Sequence, residues 1–126
     1  VHENVFKKYP KADISGSIVW IPILENDSFE AAVPSVRALN DNRIRHYYDL
    51  HQIVGKSIAD SVGWNGHVAW DIYLFYGPSA RWSERPPEPV SWMHQLSADW
   101  AGRDKYRTGE DLKKELSAAL DKLIGN

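Results

Sequence analysis

Residues 18–24 read Ile-Val-Trp-Ile-Pro-Ile-Leu, an apolar run with no polar alternation. A strand with one face in water alternates apolar and polar residues, whereas a strand buried on both faces is apolar throughout, as happens where helices cover a sheet on each side. The run is far shorter than the roughly 20 residues that span a bilayer. It therefore predicts an α/β domain of three layers, with Ile18–Leu24 as a central strand whose last hydrogen bonds are limited by Pro22.

The flanking sequence supplies the layers. Val5, Phe6 and Tyr9 have helical spacing, and Pro10 stops a simple continuation, so residues 1–9 read as the end of a helix. Asp27 and Glu30 have capping-box spacing ahead of Phe29, Ala32, Val33, Val36 and Leu39, which predicts a helix kinked at Pro34. Ile44, His46 and Tyr48 alternate with Arg43, Arg45 and Tyr47 as in a short strand. Asp49 and Gln52 repeat the capping signal before a stripe of Leu50, Ile53, Val54, Ile58 and Val62, with Gly63 as the left-handed cap. Val68–Tyr76 reads as a strand ending at Gly77-Pro78, with Ala80–Ser83 expected to return as its antiparallel partner. Arg85-Pro86-Pro87-Glu88-Pro89 is an extended connector, and Val90–Leu96 is a further short strand. Thr108 and Asp111 are placed to cap a last helix striped by Leu112, Leu116, Ala119, Leu120 and Leu123.

A length of 126 residues with 43% hydrophobic and 25% charged residues fits a single domain spanning 1–126. A formal net charge of -2 gives no electrostatic reason for a nucleic-acid or membrane partner. The absence of cysteine excludes disulfides, zinc thiolates and thiol nucleophiles within these residues and leaves the compartment open. Val1 opens the sequence and Met93 is its single methionine, so coding sequence ahead of Val1 is expected.

The order helix, buried strand, helix, short strand, helix, hairpin, terminal helix resembles the thioredoxin-like superfamily over nearly the whole chain. Ile18-Val19-Trp20, the stretch Asp41 to Asp49, and Trp70-Asp71-Ile72-Tyr73 followed by Gly77 to Trp82 are similar to a group of bacterial thioredoxin-like proteins of unassigned role. The resemblance implies a three-layer sandwich with a mixed central sheet, here missing its first strands. It also implies a Cys-x-x-Cys at a helix start, where the helix N-terminus lowers the thiol pKa, and a cis-proline facing it. Neither is present: the matching helix is the one at residues 1–9, and Ala69-Trp70-Asp71 occupies the proline position. Thiol redox chemistry through cysteines upstream of Val1 is one implied function. A redox-inactive module that binds a protein or a small molecule is the alternative, and an incomplete sheet favours homo-oligomers or strand exchange.

The candidate binding residues are Trp70, Asp71, Trp92 and His94. Asp71 is expected within an apolar strand, where a carboxylate is costly unless bonded, and a structural carboxylate is favoured over a functional one. Trp64, Trp82, Trp92 and Trp100 fall near element ends and the proline-rich connector, where they could form an aromatic groove, although core packing accounts for most tryptophans. His46 and His51 are the one close histidine pair, too few for a metal centre, so neither metal nor cofactor is expected. Arg37, Arg43 and Arg45 could hold an anion but read more simply as solvated, and Asn26-Asp27-Ser28 matches a glycosylation sequon by chance.

Overall fold

A computed structural model describes residues 5–23 and 29–125. The chain is mixed α/β, but its strands form two two-stranded sheets rather than the single mixed sheet expected. In the first sheet β1 (Gly16–Trp20) runs parallel to β2 (Ile44–Tyr48), with Gly16 opposite Ile44 and Trp20 opposite Tyr48. β1 starts earlier than the apolar run and stops ahead of Pro22, which has no amide to donate. Between the two strands lies α1 (Phe29–Ala38), which carries Pro34 inside it. Its Ala32, Val33 and Val36 are only half-buried, and none of these three belongs to either core cluster. Leu24, Asp27 and the sequon lie outside the described residues.

α2 (Ile53–Ser61) follows β2 directly. The buried Asp49 carboxylate accepts from the Ile53 amide at 2.9 Å and the Gly55 amide at 2.9 Å, satisfying donors that a helix start leaves open. Gln52 does not close a capping box. Its backbone is left-handed at φ 60, and its side chain instead donates to the Pro22 carbonyl at 2.7 Å. Beyond α2, Gly63 has φ +85, as expected of a left-handed cap.

The second sheet pairs β3 (Ile72–Phe75) with β4 (Ser91–His94), antiparallel, Ile72 opposite His94 and Phe75 opposite Ser91. The expected return strand at Ala80–Ser83 does not form, because the connection over Gly77–Val90 carries the chain to β4 before it pairs. The outer edge of β4 is also used: His94 N–H donates to Lys105 O and Arg107 N–H to His94 O, both at 2.9 Å. A 3-10 turn at Asp99–Ala101 precedes α3 (Gly109–Leu123). Thr108 sits at the N-cap of α3 with extended backbone, yet its side chain makes no cap hydrogen bond.

Strand alternation sorts the side chains into two cores. On one side, Ile18, Ile44, Tyr73, Phe75 and Met93 pack with Val5 and Phe6 against Leu112, Leu116 and Leu120 of α3. Leu116 and Leu120 are fully buried, each worth about 2–3 kcal/mol in apolar transfer. On the other side, Ile72, Leu74 and Trp92 pack against Val54, Ile58 and Ala59 of α2 and against Trp64. Among the described residues, helical structure near the N-terminus is limited to Val5–Phe6, after which the chain turns through residues 7–12.

Candidate functional site

β4 projects Trp92 and His94 to the α2 side, where α2 ends in a turn bracketed by Gly63 (φ +85) and Gly66 (φ +84). That turn directs Trp64 inward to meet His94 at 5.1 Å between ring centroids, Trp92 at 5.8 Å and Trp100 at 5.3 Å. All three contacts are near-perpendicular, the arrangement that sets a ring's positive edge against a neighbour's negative face. Trp64 Nε1 donates to Ala101 O at 3.1 Å, tying the 3-10 turn to α2. Outside this cluster His67 stacks flat on Trp100 at 4.0 Å, and Trp100 is 37% exposed.

His94 has no exposed surface. Its Nδ1 accepts from the Leu96 amide at 3.0 Å, which leaves the ring proton on Nε2, where no hydrogen-bond partner is in place. Burial pushes the imidazole below its ordinary value of 6.5; the Gly102 and Ala101 carbonyls oppose this and the Arg107 charge adds to it. The arrangement presents a neutral imidazole in an aromatic box, capable of donating one hydrogen bond.

Of the residues singled out from sequence, Trp70 and Trp92 pack on the same second core, and His94 joins them through Trp64. Asp71 does not. It precedes β3, is exposed, and has a left-handed backbone at φ 48, so the expected carboxylate buried in a strand is corrected. Its carbonyl accepts from the Gln95 amide at 3.0 Å, holding the start of the β3–β4 ladder. Trp82 stands apart on the surface. His67 was not legible as a member of the site, because only the turn between Gly63 and Gly66 carries it onto Trp100.

The basic residues resolve differently. Arg43 donates to the carbonyls of Phe6 at 2.9 Å, Tyr9 at 2.9 Å and Ala12 at 3.2 Å, and pairs with Asp41 at 3.0 Å. With its donors turned onto the N-terminal segment, it is a clamp rather than an anion site. Tyr9 donates its hydroxyl to Asp121, and Lys8 approaches the same carboxylate at 3.2 Å, fastening that segment to α3. His46 uses both ring nitrogens, accepting from Trp20 Nε1 at 3.1 Å and facing Leu39 O at 3.3 Å. Among the described residues no group of three or more potential ligands could hold a metal ion. No helix among them is long and apolar enough to cross a membrane.

Comparison with protein-family models, with curated proteins and with solved structures returns no match.

Proposed function

We propose that this chain is part of a thioredoxin-like unit that works in thiol redox chemistry, with the reacting cysteines contributed from outside the 126 residues. The supporting observation is the layering. A parallel pair, β1–β2, and an antiparallel pair, β3–β4, are backed on one side by the N-terminal segment and α3, while α2 backs β3–β4 on the other. A thioredoxin-like unit carries its dithiol at the start of the helix that enters the N-terminal segment's position, beside α3. The test is the intact mass and N-terminal sequence of the natural protein, followed by an insulin-disulfide reduction assay on it. A Cys-x-x-Cys and activity above blank are expected; a natural protein without cysteine overturns the proposal.

A redox-inactive binding module is the second reading, favoured by one observation: Trp100 and His67 form an aromatic stack open to solvent over the buried Trp64. A partner or ligand held there would quench Trp100, and Trp100→Ala would abolish binding without a large loss of stability, since the ring is partly exposed.

A further inference from the structure

The outer edge of β4 is closed at one end and open at the other. His94 turns its peptide groups away from β3, donating to Lys105 O and accepting from the Arg107 N–H, both at 2.9 Å. Peptide direction repeats at every second residue of an antiparallel strand, so the Trp92 N–H and C=O point to the same side. The segment that bonds His94 does not reach them. Its chain turns between Arg103 and Tyr106, where the Tyr106 amide donates to the Arg103 carbonyl at 3.2 Å, and so leaves the edge ahead of Lys105. Among the described residues the outward Trp92 peptide groups have no backbone partner.

Beside that open edge a groove of about 320 Å³ runs between β4 and α3. Val90, Met93, Ala118 and Ala119 give it apolar lining, and Lys105, Arg107 and Lys122 face Glu115 as its charged lining. Glu115 is already opposed by Arg107, whose Nε lies 3.6 Å from the carboxylate. Lys105 Nζ lies over the Trp92 ring, 5.8 Å from its centroid, which sets an ammonium group beside the open stretch of edge. The groove is therefore positive in a chain of net charge -2. Lys122 follows Glu115 by seven residues, roughly 10 Å along α3, the length of about three residues of extended chain.

Geometry and charge together select the occupant. An extended chain that bonds Trp92 lies in line with the Lys105–Arg107 segment, which pairs parallel to β4 at His94, and it cannot run past Lys105. It has to end there. A chain parallel to β4 brings its carboxyl end to Lys105 and Arg107, whereas an antiparallel one brings an ammonium group that these cations repel. We propose that the groove between the outer edge of β4 and α3 holds the free carboxyl end of a partner polypeptide as a short parallel strand. Its main chain bonds Trp92, and its terminal carboxylate pairs with Lys105 and Arg107. Lys122 disfavours basic side chains in the residues before that end. The site needs neither the cysteines nor the Trp100–His67 stack of the readings above.

Fluorescence anisotropy tests it with two probes, fluorescein-Gly-Ser-Val-Thr-Val with a free carboxyl end and the same peptide amidated at that end. The free acid is expected to bind with a Kd below about 1 mM and at least about 10-fold more tightly than the amide. Lys105→Glu is expected to remove that difference without loss of fold, since the Lys105 side chain is exposed. Bound free acid should also slow exchange of the Trp92 amide by about 10-fold, with the amides of β1 unchanged. Equal binding of acid and amide, or binding of neither at about 1 mM, overturns the proposal. Acetate that displaces the probe at equal concentration, or tighter binding of the acid with no slowing at Trp92, shows an anion site without an added strand and overturns it too. A preference for the acid that survives Lys105→Glu places the peptide elsewhere and does the same.

Discussion

Asp71 illustrates how a single backbone angle changes a residue's meaning. With φ 48 and an exposed side chain, it occupies a conformation that costs an L-residue about 1 kcal/mol, less for Asp than for most. Asp71→Gly is expected to raise stability by a few tenths to about 1 kcal/mol in urea melts, and Asp71→Asn to be neutral. Loss of stability in both would mean that the carboxylate is an anchor after all. His94 carries the opposite lesson, because its proton binding is coupled to folding. Its folded pKa lies below the ordinary 6.5, so the unfolded chain takes up the proton first as pH falls. The contribution of His94 is then complete above about pH 6.5 and is lost progressively below it. Melts between pH 8 and pH 5 should show this decline, and His94→Phe should flatten it; an unchanged slope would sink the assignment.

Among the elements, α2 is the one that organises the molecule. Asp49 caps it, Ile58 and Ala59 bury one face, and Gly55 lets the strand ends approach it. Gly55→Ala gains about 1 kcal/mol of helix propensity but places a methyl group 2.4 Å from Ile21 Cδ1 and 3.3 Å from the Ala69 carbonyl. The flexible Ile21 tip can move; the carbonyl moves only with the backbone, and a net loss of about 1–3 kcal/mol is expected in denaturant melts. The N-terminal segment is the contrasting case, held by one side chain rather than by its own helix. Arg43→Lys cannot reach the carbonyls of Phe6, Tyr9 and Ala12 together, so amides of residues 7–12 should exchange faster while those of α3 stay unchanged.

At the scale of the whole molecule, the described residues fold around two cores, and their strands form two separate sheets. A chain without cysteine should give no insulin-disulfide reduction by itself, and turnover above blank in a metal-free assay would contradict the proposed division of labour. Tyr47, Leu50 and Ile53 are 50%, 61% and 65% exposed around the end of β2 and the start of α2. Leu50 and Ile53 were part of the expected helical stripe, and they are exposed because Gln52 turns left-handed between Asp49 and α2 and rotates the helix start away from the core.

Local patterns were enough for the stripe of Leu112, Leu116 and Leu120, the Asp49 cap and the Gly63 stop, which act through neighbours a few residues away, whereas the apolar run marked β1 without its start at Gly16 or its half-buried faces. Local chemistry is legible because its partners are local. Strand pairing is not, since Ile72 and Leu74 fit equally well against Ala80–Ser83 or against β4, and only the packing of Met93 and Trp92 on opposite cores decides for β4. The same holds for the aromatic box, in which Trp64 from the turn after α2, Trp92 and His94 from β4, and Trp100 from the 3-10 turn come from three separate stretches of chain. Arg43 and His67 needed the tertiary structure too, because a guanidinium or an imidazole takes its role from the carbonyls and rings that the fold brings to it.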